Sequence, residues 1–321
     1  MATTSPIPVV AASRFPGPVQ ASERLVPLAL LAVYIIWGST YLALKWMVEG
    51  LPPLVGAGAR YLVAGAVLYA FSRLRGAPRP TRKQWLASIP AGAGLFLVGN
   101  GFVSIAQGEV KSSFAAIVCA ATPLMMAVFG RLAGERTSSR EVVGLVLGFA
   151  GVAVMTTKEL AGASLGAGLL LLAPVGWSLG SLAAKKLDQP PGLLGAATQM
   201  IAGGVATATV GFARGESLPA GEVPLRSVGA FFYLVIAGSL IAFSAYSYLL
   251  RNTRSSVATS YAYVNPVIAV ALGVFLGGET LSLQMMLGGA LVVAGVVVVV
   301  RARASGQAVA VAPQRDPISE T

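Results

Sequence analysis

The chain has 321 residues, of which 55% are hydrophobic and only 11% charged, with a mean hydropathy of +0.76. Soluble globular proteins carry about 25% charged residues, so this composition excludes that class and marks a membrane protein. The net charge of +11 comes from 23 Lys and Arg against 12 Asp and Glu, and the absence of histidine removes His-ligated metals and His-dependent acid–base chemistry.

A hydrocarbon core of about 30 Å needs about 20 helical residues. In chain order, apolar runs bounded by charges predict spans at 26–44, 54–72, 86–107, 112–131, 142–157, 166–184, 193–212, 228–250, 256–277 and 283–300. The first run is long enough to cross and no small-residue cleavage site follows it, so it reads as a transmembrane helix rather than a signal peptide. The fifth is the weakest, confined between Glu141 and Lys158. The expected fold is therefore all-α, a polytopic membrane protein of ten transmembrane helices. Residues 1–24, with several prolines, and the polar stretch 302–321 are expected to be disordered tails. The lone Cys119 lies within an apolar stretch and reads as a small buried hydrophobe, with no disulfide to form.

Assigning the connections to alternate sides places 17 Lys and Arg with the two tails and only five (Lys45, Lys111, Lys158, Arg214 and Arg226) opposite, with Arg60 inside a span. Acidic residues divide evenly. Basic loops stay cytoplasmic, so both termini are expected inside. The positive charge is thus a topology signal, not the footprint of a nucleic-acid site.

The sequence also repeats itself. Trp37 and Lys45 recur as Trp177 and Lys185 at a spacing of 140, Ser112-Ser113 and Pro123 as Ser255-Ser256 and Pro266 at 143, and Glu135, Gly144 and Gly151 as Glu279, Gly288 and Gly295 at 144. Each half (25–157 and 158–301) holds five spans. An odd number forces the second half to enter from the opposite face, so two inverted five-helix repeats are expected.

Trp37-Gly38-Ser39-Thr40-Tyr41, Arg60 in span two, Pro123 and Pro266 in spans four and nine, the endings Gly134-Glu135 and Gly278-Glu279, and glycine-rich spans five and ten resemble EamA-type members of the drug/metabolite transporter superfamily. The resemblance covers residues 25–300. It implies a carrier of the bacterial inner membrane that exports small metabolites, amino acids or drugs by alternating access.

Sites in such architectures lie at the bilayer midplane between repeats, where helices are interrupted. Trp37, Pro123, Trp177 and Pro266 all fall near the middle of their spans, and the two prolines are candidate kink or gating positions because each frees a backbone carbonyl. Four-residue spacing places Trp37 with Tyr41, Trp177 with Ser181, and Tyr261 with Asn265 on shared helix faces, each pairing an aromatic wall with a polar group. These six residues, with Asn100 and Arg60, are the candidate substrate contacts. Asn100 and Gln107 alternatively bond across helices. Arg60 either binds a carboxylate or phosphate in the cavity or snorkels to the nearby interface. Tyr246 and Tyr248 read as interfacial anchors. Lys45 and Lys185 read as helix-end charges, and Glu135 and Glu279 as hinge or helix-start residues. Gly144, Gly148, Gly151, Gly288, Gly289 and Gly295 read as close-packing positions, with a dimer contact as the alternative.

No Asp or Glu falls inside a span and no nucleophile has a base beside it, so an enzyme is not expected. The expected partners are a small-molecule substrate and the lipid bilayer, with no cofactor and no metal, in a monomer or homodimer. The rival functions are a flippase or scramblase of amphipathic lipids and a non-transporting membrane assembly factor. Without intramembrane acids, facilitated diffusion or exchange is expected, or coupling through Glu135 or Glu279.

Overall fold

Proline and capping side chains start the helices where the sequence places its charges. In the computed structural model, which describes residues 25–132, 134, 138–161, 165–253 and 260–310, α1 is Leu25–Val48 and α2 is Pro53–Leu74, with Pro53 in the first turn. Helix α3 is Arg82–Gln107, started by a Thr81–Gln84 capping box. Then come α4 Ser112–Leu132, α5 Ser139–Ala161, α6 Leu165–Lys186 and α7 Leu193–Ala213. Helix α8 covers 225–252, α9 is Tyr261–Phe275 and α10 is Leu283–Ala310. The described residues contain no strand, and eight of these helices (α1 to α4, α6 to α8 and α10) are long and apolar enough to cross a membrane. The molecule is an all-α polytopic membrane protein.

Two departures from the expected spans have local causes. Helix α4 is interrupted at 120–121, immediately before Pro123, whose ring cannot donate into the ladder. Helix α10 continues beyond its expected end at 300 to Ala310, through an Arg- and Ala-rich stretch of good helix formers, so residues 302–310 are helical. Within α3 and α8, residues Ala93–Gly101 and Leu234–Ile241 wind as π-type turns with i to i+5 bonding. Glu135, Ser255, Ser256, the tail 1–24 and residues 311–321 lie outside the described residues.

Polar contacts sort the helix ends into two layers. At one end, Glu216 accepts from the free amides of Leu54 (2.9 Å) and Val55 (2.8 Å) at the start of α2, Glu109 accepts from Gly166 N (2.9 Å), and Lys111 donates to Thr280 O (2.6 Å). Gly215, at φ +84°, turns the chain after α7 so that Glu216 reaches α2. Arg226 pairs with Glu49, and the Ser227 hydroxyl donates to Trp46 O at 2.7 Å. This is the capped end. The other, basic end carries Arg73, Arg75, Lys83 and Lys185, and is tied by Ser88 to Gln189 (3.0 Å) and Gln189 to Ala87 O (2.8 Å). Fully buried Met47, Leu54, Phe114 and Leu170 pack the capped end densely.

The most extensive helix contacts join α3 with α6, α5 with α10 and α2 with α7. Gly144 and Gly151 on α5 face the backbone of α10, where an added Cβ would lie 2.8 Å from Gly295 O and 2.6 Å from Gly288 O respectively, and Gly148 faces Leu124. These glycines are taken up within the chain. Helices α3 and α6 also meet backbone to backbone, a Cβ at Gly94 falling 2.6 Å from Gly180 Cα, whereas Gly168 faces open space. Gly94→Leu is therefore expected to cut the monodisperse folded fraction in size-exclusion chromatography several-fold, overpacking costing about 1–3 kcal/mol or more. Gly168→Leu should leave that fraction unchanged.

Candidate functional site

A cavity of about 430 Å³ occupies the middle of the bundle and extends to the basic end, where exposed Lys185 lines it. All ten residues singled out in the sequence line it: Trp37, Tyr41, Arg60, Asn100, Trp177, Ser181, Tyr261, Asn265, Pro123 and Pro266. They come from α1, α2, α3, α4, α6 and α9, so both halves of the chain contribute.

One wall is aromatic. Trp37 stands with its ring centroid 4.9 Å from Tyr261, 5.2 Å from Tyr246 and 6.1 Å from Phe243, mostly edge to face, the arrangement ring quadrupoles favour. Tyr246 and Tyr261 are 5.6 Å apart. The expectation that Tyr246 is an interfacial anchor is thereby corrected: it belongs to the cavity wall. The π-type turns of α8 bring this about, because they advance the register before Phe243 and Tyr246 and rotate both towards α1.

The same turns supply a carbonyl. Trp37 Nε1 donates to Gly238 O at 3.1 Å, which fixes the indole against α8. The other indole has a matching seat, since an added Cβ at Gly99, in the π-type turns of α3, would lie 3.3 Å from the Trp177 ring. Asn100 donates to Leu95 O at 3.1 Å within those turns, and Ser181 donates to Trp177 O at 2.7 Å. Asn100 thus bonds within its own helix. Gln107 bonds to no other helix among the described residues either; it is buried with neither side-chain polar atom partnered there, and it lies outside the cavity lining.

Arg60 does not snorkel. It is 6% exposed, its Nε donates to Ser239 Oγ at 3.0 Å, and its guanidinium carbon lies 4.8 Å from the Tyr61 ring centroid. Ser239 precludes the outward rotamer by holding Arg60 towards α8. Gly238 leaves the room for it, a Cβ there falling 3.1 Å from an Arg60 terminal nitrogen. Among the described residues, no carboxylate pairs with Arg60. Asn265, 7% exposed, has its amide oxygen unpartnered among the described residues, beside Pro266.

Sequence reasoning did not single out Thr40, Tyr61, Phe96, Ser239 or Phe243 as contacts, and all five line the cavity too. Tyr61 and Thr40 adjoin residues it did single out, and helical proximity to Arg60 and Tyr41 is the signal that could have found them. Cys119 is partly buried, packed against the hydrophobic core and also lining the cavity, and Lys185 is a lining residue rather than a helix-end charge alone.

Beyond the cavity, at the capped end, Glu279 takes the helix-start role expected of it, at a distant helix. Its carboxylate accepts from Ser112 N (2.6 Å), Ser113 N (3.0 Å) and Ser113 Oγ (2.6 Å) at the start of α4, and pairs with Lys45 Nζ at 3.3 Å. Burial alone would raise its pKa, but the bonds from Ser113 and Ser112 outweigh that and hold it at about 2, against an ordinary 4.5. Glu279 therefore remains ionised near neutral pH in this conformation.

The sequence profile described as the EamA-like transporter family matches residues 24–157 and again residues 164–301. The chain is 43% identical over 267 residues to "Uncharacterized inner membrane transporter YedA" of Escherichia coli (strain K12), covering 81% of this chain and 86% of that protein. It is 25% identical over 284 residues to "Uncharacterized transporter YvbV" of Bacillus subtilis (strain 168), covering 87% and 93%. A solved crystal structure aligns over 87% of this chain and 98% of its own with a TM-score of 0.60 at 21% identity, a likeness of fold.

Proposed function

The chain belongs to the EamA-like transporter family, as a multi-pass inner-membrane transporter, and from that we propose that it exports small amphipathic metabolites, amino acids or drugs by alternating access. In this reading ten helices form two inverted five-helix repeats with both termini cytoplasmic, and the cavity opens to the cytoplasm through the basic end. The observation that carries it is the central cavity to which both halves bring one indole and one helix proline.

Three further features support the reading. The family profile matches twice, at the two expected repeats. The π-type turns fall at corresponding places, 93–101 and 234–241. Each indole also packs on the π-type glycine of the other half, Trp37 on Gly238 and Trp177 on Gly99. With no Asp or Glu among the described lining residues and Glu279 held ionised, exchange or facilitated diffusion is the proposed mode.

The test is solute counterflow in proteoliposomes over a metabolite panel. Trp37→Ala and Trp177→Ala are each expected to reduce exchange about tenfold while leaving folded protein in the membrane, because each removes a large ring from the wall. Unaltered kinetics in both variants would remove the cavity as the transport site. Lipid movement without solute exchange would favour a scramblase instead.

A further inference from the structure

Resting on the carrier reading above, we propose that the cavity selects organic monoanions: an aromatic or similarly flat apolar group bearing one carboxylate and one neutral hydrogen-bond donor, as in an aryl 2-hydroxy acid.

The charge of the lining comes first. Among the described lining residues the charged groups are Arg60 and Lys185, and none is acidic. An ammonium group entering this space meets two cations and no carboxylate, whereas a carboxylate meets its complement at both depths. A cationic drug is disfavoured on that ground alone. A zwitterion is disfavoured in part.

Arg60 then fixes where the carboxylate goes. A guanidinium buried at span depth is costly unless paired, and no protein carboxylate within the described residues pairs with it. Its Nε is committed to Ser239, its plane rests near the Tyr61 ring, and glycine at 238 keeps space beside its terminal nitrogens. A forked donor with its remaining N–H groups directed away from Ser239 is the geometry that binds carboxylate oxygens.

Asn265 adds the third element. Asn265 lines the cavity, and its amide oxygen is buried without a partner among the described residues, so a donor brought by an occupant that reaches it would satisfy it. A hydroxyl supplies that donor with no positive charge. The ring cluster around Trp37 provides the surface for the flat apolar part.

A matched series separates these claims: 3-phenyllactate (anion with hydroxyl), 3-phenylpropanoate (anion without it), phenylalanine (zwitterion) and phenethylamine (cation). Each is tested at pH 7.5 by radiolabel counterflow with the full chain in liposomes, against protein-free liposomes. The expected result is exchange of 3-phenyllactate at least tenfold faster than phenylalanine, 3-phenylpropanoate several-fold slower than 3-phenyllactate, and phenethylamine at background. Phenylalanine or phenethylamine exchanging as fast as 3-phenyllactate overturns the selectivity and leaves the carrier reading standing. Background exchange for all four overturns the selectivity as well. If that silence extends across a broad metabolite panel and labelled lipid moves instead, the carrier reading falls with it.

Discussion

Arg60→Met is expected to lower 3-phenyllactate counterflow at subsaturating solute by about 10- to 150-fold and, in the same protein, to raise the temperature of unfolding by a few degrees. The first figure is the loss of a charged hydrogen-bonded contact of about 1.5–3 kcal/mol. The second follows from removing a charge that the fold leaves without a carboxylate. A centrally placed Arg costs about 2.5 kcal/mol or more on insertion scales, and an apolar side chain of similar length incurs no such cost. Melting can be followed by circular dichroism at 222 nm, since the described residues are mostly helical. A structural role for Arg60 predicts the opposite pairing, with melting temperature and transport falling together. That outcome would assign the residue to packing between α2 and α8, and Ser239 would be its purpose. Divergence of the two measurements is the signature of a group retained for its ligand.

The candidate site was unusually readable from the sequence because its landmarks repeat. Trp37 with Trp177 and Pro123 with Pro266 could be placed at one depth by counting from the flanking charges, and all four line one cavity. Counting fails where the helix itself changes pitch. Beyond the π-type turns at 234–241 a face drawn at 3.6 residues per turn no longer points where expected, so Phe243 and Tyr246 escape a reading that recovers Tyr41 and Ser181. Long-range pairing was equally hidden. Lys45 and Glu279 lie 234 residues apart, and neither charge alone announces that it closes the capped end. Arg60 was undecided for a similar reason, since its orientation is set by Ser239, 179 residues away.

The way the halves meet explains why the site lies between them. Helix α1 packs on α8 and α9 of the other half, and α6 packs on α3 and α4. Each half thus lends its indole-bearing helix to its counterpart, and the cavity is bounded by both exchanges. Helices α2 with α7 and α5 with α10 also pack extensively across the two halves, beside that cavity.

Glu279→Gln is expected to destabilise the protein by about 2–4 kcal/mol at pH 7, more than Lys45→Met, for which about 1 kcal/mol or less is expected. The glutamate's side chain is only 3% exposed and accepts three bonds at the start of α4, where a negative charge also meets the positive end of the helix dipole. Lys45 is 30% exposed and contributes a pair that water partly screens. The dependence on pH gives an independent check. A carboxyl lowered from 4.5 to about 2 by folding contributes stability that is complete above pH 4.5 and is lost as pH falls towards 2, by about 3 kcal/mol in all. The melting temperatures of wild type and Glu279→Gln should therefore differ by a constant amount above pH 5 and converge below pH 4.5. If the gap held steady down to pH 3, the carboxylate's charge would not be what caps α4. If Lys45→Met proved the more damaging variant, the ion pair rather than the capped amides would be what holds the two halves together at that end.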